Sequence, residues 1–293
     1  MTDQPVAIAH VSDLHFGGYA DLAQIEALED FLPTLGVAAT VVSGDLSQRA
    51  RHGEFQAAHA FLNRIRDAMP VLVVPGNHDL EWWKSPLGIL GAGAKYTKYA
   101  RYFGPLTPVL EIPGAIIAGA LSTYGVAFGS LTWNIRDVAV KGHLPASETT
   151  RVAEVFREAP AGMVRVLTLH HNVLPGGLSR RMGLARWRSA QRRLLATGAD
   201  VVLCGHDHQE GAGQVHGRLA VSTAGTHSFR SRHGRPSVFN LVKIDDRAVH
   251  IQHYRWEPAG GRFLKSDTYS FARAEAPGLA VSVAGGDQES EGG

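Results

Sequence analysis

Apolar residues in the first eighty positions alternate between two rhythms. Val6–Val11 is a nearly unbroken apolar run between Pro5 and Ser12-Asp13, which predicts a strand buried on both faces. Leu22, Ile25, Leu28, Phe31 and Leu35 then recur at helical spacing, and Gly36 supplies a stop. Ala39–Val42 predicts a second strand. Phe55, Ala58, Phe61 and Ile65 form one face of a second helix ending before Pro70, and Val71–Val74 predicts a third strand. Strand, helix, strand, helix, strand is the order of a layered α/β fold.

Between Leu80 and Pro113 the rhythm breaks. Aromatic residues are scattered among Gly and Pro there, predicting an irregular cap-like insertion with one helix near 95–103. Further strands are predicted at Ala115–Leu121, Val164–Leu169 and Val201–Leu203, with helices at Ser147–Glu158 and Ala185–Ala196 and mostly loop or hairpin over 122–144. After His208 the pattern turns antiparallel: Leu219–Thr223, Val238–Ile244 and Val249–Trp256, with Asp245-Asp246 as a hairpin tip. Residues 1–273 read as one domain without repeats or an internal linker. The Gly-, Ala-, Ser-, Gln- and Glu-rich stretch 274–293 reads as a disordered tail.

Composition narrows the function classes. A chain of 293 residues with 44% hydrophobic and 19% charged residues can bury a sizeable core. The net charge of +2 does not demand a nucleic-acid or acidic-membrane partner, although nucleic acid is not excluded. No run approaches the roughly 18 apolar residues of a membrane span, and no basic-then-apolar leader opens the chain. One cysteine, Cys204, allows neither an internal disulfide nor a thiolate zinc site, so a reducing compartment, the cytoplasm, is expected.

The chemistry sits at the predicted strand ends. Five of them carry metal-ligand residue types: Asp13 and His15; Asp45; Asn77 and His78; His170 and His171; His206 and His208. In open α/β sheets the carboxyl ends of strands face a common crevice, so these residues can converge. Carboxylate, amide and imidazole ligands without thiolate suit first-row divalent metals. Two such ions bring +4, and two aspartates with one hydroxide return −3. About one positive charge is then left to receive an anion such as a phosphate ester.

Asp13-x-His15, Gly44-Asp45, Gly76-Asn77-His78-Asp79, His170 and Gly205-His206-Asp207-His208, in this order, resemble the five-block signature of calcineurin-like metallophosphoesterases. The local context is similar to the bacterial class III cyclic-nucleotide-type phosphodiesterase branch. The resemblance implies a four-layer αββα sandwich of two mixed sheets with a binuclear metal site at the strand carboxyl ends. Asp13, His15 and His208 would hold one metal, and Asn77, His170 and His206 the other, with Asp45 bridging. The cofactors would be two divalent ions drawn from Mn, Fe, Zn or Co. The implied reaction is phosphodiester hydrolysis by in-line attack of a hydroxide trapped between them. His78 is placed to serve the leaving oxygen, with Asp79 favouring its protonated form. His171, Arg180 and Arg181 are further substrate-contact candidates, and a small phosphodiester is the expected partner.

Each residue also has a plainer reading. Asp13 and Asp45 suit turn caps, Asn77 a turn asparagine, and Arg186, Arg188, Arg192 and Arg193 the polar face of a helix. His10 and His253 read as core or surface histidines, and Trp82 and Trp83 as a small local core or a base-stacking pair. The rival functions are a nuclease, a nucleotide-sugar-lipid pyrophosphatase on the same fold, and a metal-binding scaffold. The late strands offer an edge for a homo-oligomer. One departure from the family pattern stands at Gln48, where relatives often carry an acidic residue.

Overall fold

Three parallel strands, β1 (Val6–Val11), β2 (Ala39–Val42) and β3 (Val71–Val73), open the structure, connected by α1 (Leu22–Phe31) and α2 (His52–Arg66). A computed structural model describes residues 5–81, 94–124, 141–231 and 234–273. Trp82, Trp83 and the predicted tail 274–293 lie outside the described residues, as does most of the predicted hairpin over 122–144. The apolar run after Phe31 continues as a 3-10 turn, Leu32–Leu35, because Pro33 has no N–H to extend the helix. Gly36, at φ 62°, ends it.

The second sheet is built from β4 (Val109–Ile112), β5 (Ala115–Gly119), β6 (Val164–His171), β7 (Val201–Gly205), β8 (Gly211–Val215) and β9 (Leu219–Thr223). Its helices are α4 (Ala146–Glu158) and α5 (Trp187–Ala196). The chain then returns to the first sheet as β10 (Val238–Ile244), β11 (Ala248–Glu257) and β12 (Arg262–Ala272). The sheet orders are β12-β11-β10-β1-β2-β3 and β4-β5-β6-β7-β9-β8, both mixed.

Three apolar layers hold these elements together. Ile8, Val41, Leu72 and Val242 of one sheet pack on Ile117, Val166 and Leu203 of the other. Leu28, Phe55, Phe61 and Leu62 cover the outer face of the first sheet, and Val152, Phe156 and Leu194 that of the second. Helix, sheet, sheet, helix is the expected αββα sandwich. Among the described residues no helix is long and apolar enough to cross a membrane.

The helix expected near 95–103 is α3 (Thr97–Phe103), which packs Phe103 edge-on against Phe55 of α2, with ring centroids 5.2 Å apart. The irregular reading of 80–113 is corrected only at β4, which follows as an edge strand. Strands β8 and β12 are also absent from the sequence pattern.

The layer between the sheets turns polar towards one end. His10 and His253 are core histidines there. His10 joins Ser43 Oγ at 3.0 Å to Ser222 Oγ at 2.9 Å, while His253 meets Asn240 Oδ1 at 2.7 Å. His10 is held down to about 3, by burial, so it stays neutral.

Candidate metal centre

The carboxyl ends of β1, β2 and β3 meet those of β6 and β7 at this polar end. Asp45 stands at the centre. Its Oδ1 accepts the His78 backbone N–H at 2.8 Å, and its Oδ2 lies 3.8 Å from His15 Nε2 and 3.4 Å from His170 Nε2. On one side Asp13 Oδ2 is fixed by the His206 N–H at 2.9 Å. Its buried Oδ1 has no hydrogen-bond partner among the described residues and lies 3.2 Å from His208 Nε2. Asp13, His15, Asp45 and His208 each bring one ligand atom within 4.8 Å of the others. On the other side Asn77 Oδ1 is 3.1 Å from His170 Nε2 and 3.0 Å from His206 Nδ1.

The chemistry of this donor set fits divalent cations. His170 Nδ1 donates to the Ser43 carbonyl at 2.8 Å, and His208 Nδ1 to that of Arg230 at 3.1 Å. A carbonyl only accepts, so each ring, when neutral, turns its Nε2 lone pair into the cluster, the usual orientation of a metal-ligating imidazole. His15 Nε2 and His208 Nε2 are 3.0 Å apart, and His206 Nδ1 and His170 Nε2 3.3 Å apart. Lone pairs and carboxylate oxygens crowded this closely call for positive charge among them.

The charges respond to that need. Burial alone would push Asp13 and Asp45 up, yet the surrounding imidazoles hold both well below the usual carboxylate range. Burial works against charge on His170, but the Asp45 carboxylate more than reverses this and raises it to about 9. His206 falls to about 3 through burial and the neighbouring His170.

Local backbone is bent to make the cluster. Non-glycine residues at positive φ include Asp13, His15, Asp45, His206 and His208, a conformation that costs free energy and concentrates at functional sites. A Cβ on Gly76 would sit 2.0 Å from Asp45 Oδ1, so only glycine admits the shared carboxylate.

Asp79 differs from its expected role. Its carboxylate accepts the N–H groups of Leu46, Ser47 and Gly76 and the Ser47 hydroxyl, clamping the Asp45 loop to the Asn77 loop, and does not bond the His78 ring. Burial, helped by the Asp45 charge, lifts it to about 6. The His78 ring stands 5.0 Å from that of His15, with Nδ1 2.9 Å from the Gln48 carbonyl oxygen and Nε2 3.2 Å from Arg230 Nη1.

The substrate-contact candidates divide between the interior and the surface. His171 is 1% exposed, bonds Ser122 Oγ at 2.9 Å and packs 4.5 Å from the His206 ring, so it lies inside, behind His206. Arg180 and Arg181 are exposed on the Gly-rich loop, and among the described residues neither guanidinium has a hydrogen-bond partner. The Arg193 guanidinium caps the Leu144 carbonyl, and that of Arg188 lies 4.3 Å from the Trp187 ring centroid, as a helix surface requires. Arg230 and Ser43 carry no spacing signal and were legible only in three dimensions. Gln48 had announced itself as a departure.

Two facing mixed sheets whose strand ends gather aspartate, asparagine and histidine around a shared carboxylate define a metallophosphoesterase class of protein. The chain belongs to the calcineurin-like phosphoesterase family, whose sequence model matches residues 6–210. It is similar to the glycerophosphodiester phosphodiesterase GpdQ of Enterobacter lignolyticus (strain SCF1), at 33% identity over 32% of this chain and 38% of that protein. The chain therefore matches little more than a third of that curated relative. The fold is shared with a dimetal phosphatase from Danio rerio, at 12% identity and a TM-score of 0.63 over 93% of this chain and 100% of that one. It is shared equally with purple acid phosphatase PPD1 from yellow lupin (Lupinus luteus) seeds, at 10% identity and 0.64 over 94% and 55%.

Proposed function

We propose that this protein hydrolyses phosphodiesters, small ones including cyclic nucleotides, with two divalent cations. Asp13, His15 and His208 would hold one and Asn77, His170 and His206 the other, with Asp45 placed between the two groups. The observation that carries this reading is Asp45 Oδ2, within 4 Å of a ligand nitrogen from each side. When bound, such a pair supplies Lewis acidity to phosphoryl oxygens and lowers the pKa of water between the ions.

The chain's own residues supply the geometry. The Ser43 and Arg230 carbonyls lock the His170 and His208 rings, and Asp79 locks the two loops that carry Asp45 and Asn77. His78, its backbone pinned to Asp45, presents its ring beside the cluster where a leaving oxygen would emerge. A diester leaves as a poor alkoxide, so groups at that position matter more than for an activated ester. The relative named as a glycerophosphodiester phosphodiesterase supports the preference for diesters over monoesters.

The test is metal-stripped and Mn-reloaded enzyme assayed on a cyclic nucleotide, an aryl phosphodiester, an aryl phosphomonoester and single-stranded DNA. Reloading should restore turnover of the two small diesters above the monoester. Restoration on the monoester alone would overturn the diester assignment.

A further inference from the structure

Arg230 lies in the loop after β9, and its main chain is already committed: the carbonyl holds His208 Nδ1 at 3.1 Å. That bond places the side chain beside the cluster. Its Nη1 lies 3.2 Å from His78 Nε2 and 3.3 Å from Gln48 Oε1, and its Cζ stands 5.6 Å from the Tyr19 ring centroid. A guanidinium only donates, so both contacts run from Nη1 to an acceptor. Among the described residues the side-chain hydrogen bonds all pass through Nη1, which leaves Nε and Nη2 to serve a ligand. The residue is half-buried, with neither full exposure nor, among the described residues, a carboxylate partner to neutralise it.

The position of Gln48 gives this arrangement its meaning. With an acid there, the cation beside His78 would be paired off. With an amide oxygen, Arg230 is oriented and keeps its whole positive charge. A fixed guanidinium at the rim of a cluster built for phosphate esters is suited to fork-like binding of a phosphoryl group.

We propose that Arg230, held in place by Gln48 and His78, is a substrate-binding residue that grips the anionic phosphoryl group of the ester. This rests on the phosphoesterase reading above. It predicts a chain that binds inorganic phosphate partly through Arg230, whichever ester it prefers.

The experiment measures inorganic phosphate binding by calorimetry on the Mn-loaded protein, with metal content per chain and KM and kcat for the aryl diester alongside. Arg230→Met should weaken phosphate binding and raise KM by about 10- to 100-fold, the loss expected for a charge-assisted contact, with metal content unchanged. Arg230→Lys should fall between the two. Gln48→Glu separates binding from bracing: a carboxylate 3.3 Å from Nη1 would weaken phosphate binding if the cation serves the substrate, yet would tighten a merely structural brace. Unchanged phosphate affinity in Arg230→Met and Gln48→Glu at full metal content would overturn the proposal. So would loss of metal in Arg230→Met, which would make the residue a support of the ligand loops. Phosphate binding that depends on Arg230 without turnover of any ester would instead sink the phosphoesterase reading and spare the site.

Discussion

The two candidate ligand groups around Asp45 share its carboxylate but differ in the charge each adds to it. The group of Asp13, His15 and His208 has an aspartate of its own, with a buried, unpartnered Oδ1 aimed into the cluster. The group of Asn77, His170 and His206 has no carboxylate apart from Asp45, and its oxygen donor is an amide. Cation affinity follows ligand charge, so the acidic group should fill first and hold more tightly. The Asn77 group compensates with support: Ser43 beneath His170, Ser122 and His171 behind His206, and His10 beneath Ser43.

Removing the shared charge should have the largest effect. Asp45→Asn is expected to lower kcat about a thousandfold, equivalent to about 4 kcal/mol of barrier, and to reduce metal content below two per chain. Metal analysis beside steady-state rates checks both; two retained ions would remove Asp45 from its bridging place. The next effect distinguishes the groups. Asn77→Ala should release one cation and keep the other, whereas Asn77→Asp should tighten the second binding step in a titration. Equal steps in the unaltered protein would contradict the charge argument.

A smaller effect reaches the Asn77 group from below. His10 is lowered from 6.5 to about 3, so the folded state resists a proton that the unfolded chain accepts. Its contribution to stability is complete above pH 6.5 and is lost as pH falls towards 3, by up to about 1.4 kcal/mol per pH unit. Urea unfolding of His10→Gln should show a shallower loss between pH 6.5 and 4 than the unaltered chain; parallel curves would show that His10 titrates normally. The smallest expected effect is that of Ser122→Ala, which unties His171 from behind His206. Affinity at the Asn77 group should fall by about tenfold, with the acidic group unaffected.

Much of the fold was legible because central strands and amphipathic helices bury whole faces. Val6–Val11 and Val201–Leu203 announce themselves by unbroken apolar character. The missed strands, β4, β8 and β12, are all sheet edges. Gly211–Val215 is mostly half-buried and Arg262–Ala272 largely exposed, so neither carries an apolar period to read. Strand alternation sets His171 apart from His170, but the direction of its ring needed Ser122, 49 positions earlier. Asp79 misled for a related reason. Adjacency to His78 suggested a partner, while the turn that carries both aims the carboxylate down into the Asp45 loop.

Residue type and order alone determined the layered α/β class and a constellation of aspartate, asparagine and histidine at strand ends. Those features follow from burial and local chain geometry, which each segment encodes within its own few residues. Tertiary structure decided which acceptors each imidazole turns towards the centre, which carboxylate stands between the two ligand groups, and that Arg230 meets His78 from across the fold. These depend on distances of a few ångströms between segments remote in sequence, set only when two sheets close on a common core.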